Sequence, residues 1–135
     1  MVTKIDHIGI FVKNLEGSLK KYIDLLGLEP GKIEAINIDG TEDRRAVLPI
    51  RDATVELVDS PTGMGFAADF LKKKGEAIHH IAFEVEDLAK TFEELRSRGV
   101  KFLKDQISEA PGGRRFVYFQ PEEFNGIYIE LVQKR

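Results

Sequence analysis

The stretch that decides the fold is Ile5-Asp6-His7-Ile8-Gly9-Ile10-Phe11-Val12-Lys13-Asn14-Leu15. It returns 73 positions later as Ile78-His79-His80-Ile81-Ala82-Phe83-Glu84-Val85-Glu86-Asp87-Leu88. Ile5, His7, Ile8, Val12 and Leu15 fall on Ile78, His80, Ile81, Val85 and Leu88. A second echo closes each half: Val55-Glu56-Leu57-Val58 returns 74 positions later as Ile129-Glu130-Leu131-Val132. Two matches at nearly the same shift argue for duplication of one structural module.

Working outward, each half reads alike. Residues 4–12 alternate and are rich in Ile, Val and Phe, which predicts a strand. Leu15, Leu19, Tyr22 and Leu26 stand at helical spacing over residues 15–26, with Gly27 as the stop. Short strands follow at 33–38, 44–50 and 53–59, separated by turn residues. The second half predicts a strand at 78–85 and a helix at 88–98 stopped by Gly99. Strands near 101–105, 114–120 and 126–132 complete it. The expected class is therefore α+β: two paired βαβββ modules forming a curved, partly open eight-stranded mixed sheet around a metal site. One domain spans residues 1–135, with module one at about 1–60, a connector at 61–76 and module two at about 77–135. The connector carries a short helical stretch around Phe66 to Lys73.

A chain of 135 residues is long enough to bury a core without disulfides or metal staples. Apolar residues make up 42% and charged residues 32%, an ordinary globular composition that excludes intrinsic disorder. No apolar run approaches the length of a membrane helix, and the first residues lack a signal-peptide core, so a cytoplasmic protein without a membrane partner is expected. The absence of cysteine removes a thiolate nucleophile and a Cys-based zinc site. A net charge of −3 gives no support to a nucleic-acid partner.

Strand side chains alternate between faces. His7 and His80 lie opposite Ile8, Ile10, Val12 and Ile81, Phe83, Val85. Glu56 and Glu130 lie opposite Val55, Leu57 and Ile129, Leu131. The aliphatic faces suit the undersides of the two helices. A carboxylate centred in an apolar strand must be solvated, paired or bound to a cation. Each residue alone reads as an ordinary solvated or hydrogen-bonded side chain. Their recurrence at duplicated positions favours a shared site in which His7, Glu56, His80 and Glu130 hold a divalent ion. Two imidazoles and two carboxylates suit Co²⁺, Ni²⁺, Zn²⁺, Mn²⁺ or Fe²⁺. His79 alternates onto the aliphatic face, and its counterpart in the first half is Asp6. A supporting or capping role is expected of it.

The chain resembles the vicinal oxygen chelate superfamily over essentially its whole length, and within it the methylmalonyl-CoA epimerases. The resemblance rests on Ile5–Ile10, Val55–Pro61, Ile78–Val85, Gly112–Arg115 with Gln120-Pro121, and Gly126–Leu131. It implies His7, His80 and Glu130 as metal ligands with Glu56 in the fourth position, and Co²⁺ as the favoured ion. It implies an acyl-CoA substrate, and the chemistry then asks for Glu130 as the proton-transferring base and Glu56 as the base for the opposite face; exposed edges of the sheet favour a homodimer. Glyoxalase I enzymes typically carry Glu at the fourth position, so lactoylglutathione lyase chemistry on a hemithioacetal is the alternative. Some epimerases carry an acid on the preceding strand, where this chain aligns Ala46; Glu34, Glu42 and Asp43 are the substitutes at hand. Lys72 to Lys74, Arg114 and Arg115 are candidates for the CoA phosphates.

Overall fold

The computed structural model describes residues 1–29 and 31–134. The element order is β1 (Val2–Phe11), α1 (Leu15–Leu26), β2 (Ile33–Ile38), β3 (Thr41–Ile50) and β4 (Ala53–Asp59). It continues through α2 (Phe66–Lys74), β5 (Ala77–Val85), α3 (Leu88–Ser97), β6 (Ser108–Glu109), β7 (Arg115–Tyr118) and β8 (Tyr128–Gln133). The α+β class, the doubled βαβββ order and eight strands of mixed direction are as expected. No described helix is long and apolar enough to cross a membrane.

The chain divides into two compact units, residues 8–79 and residues 1–7 with 80–135. The division runs through β1 and β5 rather than through the connector. In the unit of residues 8–79, hydrogen-bonded neighbours run β2, β3, β4, β1. The hairpins β2–β3 and β3–β4 are antiparallel. Helix α1 covers the aliphatic face of these strands. Val12, Leu15, Ala46, Leu48 and Leu57 are buried there, with Ile10, Leu19, Tyr22 and Val55 packed around them. Phe11, Val58 and Ala67 form a second cluster with Ile36, Phe70 and Leu71, which seats α2 on the other face.

In the unit containing residues 80–135, the neighbours run β1, β5, β8, β7, β6. β5 and β8 are parallel, while β7 is antiparallel to both β8 and β6. Helix α3 buries Leu88, Phe92 and Leu95 against Val85, Val117, Phe119, Ile129 and Leu131. The strand expected near 101–105 does not form. Phe102 makes one isolated bridge to Phe119, and the short β6 lies further on at Ser108–Glu109. Phe102 instead packs on the α3 core, stacked on Phe119 with ring centroids 4.9 Å apart. Anchoring one aromatic side chain leaves no length for a ladder.

The duplication reaches further than the sequence showed. Asn14 caps α1 by accepting a hydrogen bond from Gly17 N at 2.8 Å, and Asp87 caps α3 by accepting from Lys90 N at 3.0 Å. Such caps contribute about 1 kcal/mol each. The last strand of each module supplies a second acceptor. Asp59 takes the Leu15 amide at 3.0 Å, and Gln133 takes the Leu88 amide at 2.7 Å. Each acceptor is in turn held by the arginine opposite it in the ladder, Arg44 for Asp59 and Arg115 for Gln133. Helix entry and strand exit are thereby tied together in both halves.

Candidate metal centre

β1 delivers His7, β5 delivers His80 and β8 delivers Glu130. The ladder sets Ala82 opposite Glu130 on one side and Tyr118 opposite it on the other. Residues directly opposite share a face, so His80, Glu130 and Tyr118 all stand on the side away from α3. The three polar side chains are buried, Glu130 to 3% exposure. Nε2 of His7 lies 2.9 Å from Nε2 of His80 and 3.2 Å from Oε1 of Glu130; the His80–Glu130 separation is 3.8 Å. The two imidazole rings meet edge to face at 89°.

These distances decide what the group can do. Asp6 Oδ2 lies 2.8 Å from His7 Nδ1, and an ionised carboxylate can only accept, so Nδ1 carries the proton. The Nε2 of the neutral ring is then a lone pair aimed at a second imidazole and a carboxylate. Three electron-rich atoms converging in a buried space fit a cation. A divalent ion about 2.0–2.2 Å from each donor sets neighbouring donors roughly 3.0–3.5 Å apart, and the observed separations bracket that range. Asp6 stands where a carboxylate would orient a metal-binding histidine. Lys134 Nζ, 2.9 Å from Asp6 Oδ1, holds it from behind.

The electrostatics agree. Burial works to raise the Asp6 carboxyl pKa, but the hydrogen bonds and charges of His7 and Lys134 outweigh it and hold it well below the usual carboxylate range. Burial likewise works against ionised Glu130. A proton on His7 Nε2 overcomes it by hydrogen-bonding Glu130, and the charges of His80, His7 and Arg114 add to that, so the pKa is lowered; a cation at the same point would take the place of that proton. Both acids are anions at neutral pH.

Among the described residues, His7, His80 and Glu130 are the group able to hold a metal, their donor atoms all within 4.8 Å of one another. Glu56, in the unit of residues 8–79, is not one of the three. Its place is in β4 opposite Val47, with Arg45 Nη1 3.5 Å from its carboxylate. Ala46 does not share the Glu56 face. It is fully buried beneath α1, on the opposite side of β3 from Glu56. The positions of β3 that share the Glu56 face are Asp43, Arg45 and Val47. Of the substitute acids, Asp43 is on that face and fully buried, and Glu34 is on it but ion-paired with Arg45 at 2.6 Å. Glu42 alternates to the other face.

His79 has a packing role rather than a supporting one. Its ring stacks on Phe11 at 4.4 Å and meets Phe66 and Phe70 edge on. Burial pushes its pKa down to about 4. The supporting role belongs to Asp6, whose signal in the sequence is its adjacency to His7. The arginines considered for phosphates are engaged in the unit: Arg115 Nη2 donates to Gln133, and Arg114 Nη2 lies 3.4 Å from Glu130 Oε1.

Known proteins resemble this chain. The family model of the Glyoxalase/Bleomycin resistance protein/Dioxygenase superfamily matches residues 4–131. An ethylmalonyl-CoA/methylmalonyl-CoA epimerase of Cereibacter sphaeroides is 31% identical over 136 residues, covering 98% of this chain and 99% of its own. An uncharacterized protein of Bacillus subtilis is 25% identical over 134 residues, covering 99% of this chain and 94% of its own. A solved methylmalonyl-CoA epimerase in complex with methylmalonyl-CoA and NH4⁺ superposes with a TM-score of 0.87 at 29% identity, covering 99% of this chain and 96% of that one.

Proposed function

The chain belongs to the Glyoxalase/Bleomycin resistance protein/Dioxygenase superfamily, and on that premise we propose that it epimerises methylmalonyl-CoA. The observation that carries the reading is the convergence of His7, His80 and an ionised, buried Glu130 on one point. Relatives named as methylmalonyl-CoA epimerases supply the substrate class, an acyl-CoA.

Epimerisation removes the proton α to the thioester and returns one on the opposite face. That proton is too weakly acidic for a carboxylate acting alone in water. His7, His80 and Glu130, with Glu56 proposed as fourth donor, would hold a divalent ion, Co²⁺ in first place. A divalent ion there supplies Lewis-acid stabilisation of the negative charge that develops on the acyl oxygens. Asp6 keeps the His7 proton on Nδ1 and so keeps Nε2 available as a donor. Glu130 is proposed as the base that exchanges the α-proton on one face, because burial beside His7 holds a carboxylate there without a hydration shell. Glu56, its counterpart in the repeat, is proposed as the base for the other face. The working form is proposed to be a homodimer, since edge strands of a sheet invite pairing.

The test is proton exchange in heavy water. Metal-loaded protein is mixed with one stereoisomer of methylmalonyl-CoA, and mass spectrometry follows deuterium at the α-carbon with a chelator-treated control. Metal-dependent incorporation together with racemisation is the expected result. No incorporation by protein that holds its metal rejects the substrate. The second reading, isomerisation of a glutathione hemithioacetal, has Glu56 in its favour and is assayed on the same preparation.

A further inference from the structure

Arg114 stands immediately before β7, in alternation with Phe116 and Tyr118. Those two side chains share the face of Glu130, because Tyr118 is its cross-strand partner. Arg114 Nη2 reaches Glu130 Oε1 at 3.4 Å, and the guanidinium carbon sits 5.9 Å from the centre of the Phe116 ring. Phe116 meets Tyr118 edge on, and Tyr118 meets His80 edge on. A wall of Arg114, Phe116 and Tyr118 therefore runs along β7 beside the metal-capable group, with the cation at one end. The Arg114 side chain is 25% exposed. It is fixed by an aromatic face and a carboxylate, yet it reaches solvent.

A guanidinium offers five N–H donors in a rigid fork suited to carboxylates. A single long contact to Glu130 uses one of them. A cation beside a buried carboxylate also offsets the negative charge that an anionic ligand adds there. We infer that Arg114 is a specificity-determining residue that binds the free carboxylate of a 2-carboxyacyl thioester, so that the site selects malonyl-type acyl groups over simple acyl groups. The inference rests on the proposed epimerase reading. It separates Arg114 from Arg115, whose alternation carries it to the other face and onto Gln133.

The test compares binding of methylmalonyl-CoA and propionyl-CoA to metal-loaded wild type, Arg114→Met and Arg114→Lys by isothermal titration, with metal content measured for each. The two ligands differ by one carboxylate. Methionine keeps the apolar stem against Phe116, and lysine keeps charge without the fork. Wild type is expected to prefer methylmalonyl-CoA. Arg114→Met is expected to lose roughly 10- to 100-fold in affinity for it, the scale of one charge-assisted hydrogen bond, while propionyl-CoA affinity and metal content stay within threefold. Arg114→Lys is expected to fall between. Equal losses for both ligands, or loss of metal, would show Arg114 to be a structural partner of Glu130 and overturn the inference. So would an Arg114→Met variant that discriminates as wild type does. A wild type that binds the two ligands equally well overturns the functional reading itself, a result distinct from the others.

Discussion

Glu56 and Glu130 occupy the same place in two copies of one strand motif, and the protein treats them differently. Glu130 is buried, hydrogen-bonded by His7 and flanked by His80 and Arg114. Glu56 sits opposite Val47 and has Arg45 3.5 Å away, which is itself bound to Glu34. The neighbouring strand of each copy accounts for the contrast. β7 places Tyr118 opposite its glutamate, whereas β3 places Val47 opposite and Arg45 one step along the same face. Duplication preserved the carboxylates, and divergence of the strands beside them set their surroundings. A repeated residue need not keep repeated surroundings.

The sharpest way to break this contrast is to neutralise each acid in turn. Glu130→Gln is expected to cost at least 10³-fold in turnover, about 4 kcal/mol, with the fold retained by circular dichroism. Glu56→Gln is expected to cost about 100-fold, since Gln can still donate an oxygen to an ion but cannot serve as the second base. Deuterium incorporation measures both, and equal losses would erase the asymmetry. Asp6→Asn comes next. Losing the acceptor that fixes the His7 tautomer is expected to weaken metal affinity by about 10- to 100-fold, read by competition with a chromophoric chelator. The corresponding change at His79, which belongs to the aromatic cluster with Phe11, is expected to leave metal affinity unchanged.

A smaller effect sharpens the comparison of buried acids. Asp6 is held ionised by partners, whereas Asp43 is fully buried in the other unit. Burial raises the Asp43 pKa, Ser60 opposes the shift and the charge of Asp59 adds to it. Its folded pKa exceeds its unfolded value of 3.8, so over that window the native state holds a proton that the unfolded chain has released. Stability then falls as pH rises from 3.8 through the raised value and is level above it. Asp43→Asn is expected to remove that fall and raise the neutral-pH unfolding midpoint by a few degrees, measured by calorimetry across pH 3–8. The smallest expected effect is that of His79→Phe, within about 1 kcal/mol, because the aromatic cluster accepts a ring of similar size. A loss of several kcal/mol in urea titration would mean that the imidazole does more than pack.

Much of this was legible in the chain because it rests on periodicity. The period-2 strands and period-3.6 helices at 4–12, 15–26, 78–85 and 88–98 formed with small shifts at their ends. The shift of 73 paired His7 with His80. The strand expected near 101–105 did not form: it was read from the repeat alone, and packing decided otherwise, because Phe102 turned into the α3 core. Ala46, aligned by resemblance with a second acid, lies buried beneath α1.

The doubled βαβββ order, the faces of the strands and the candidacy of two histidines and two glutamates are written in the chain itself. Those properties follow from alternation and repetition, which each segment carries alone. That His7, His80 and Glu130 converge to within 4 Å of one another, that Asp6 fixes the His7 proton and that Arg114 rather than Arg115 reaches Glu130 came from the folded arrangement alone. Each of these depends on register between strands distant in the chain, and a slip of one residue turns every side chain to the opposite face.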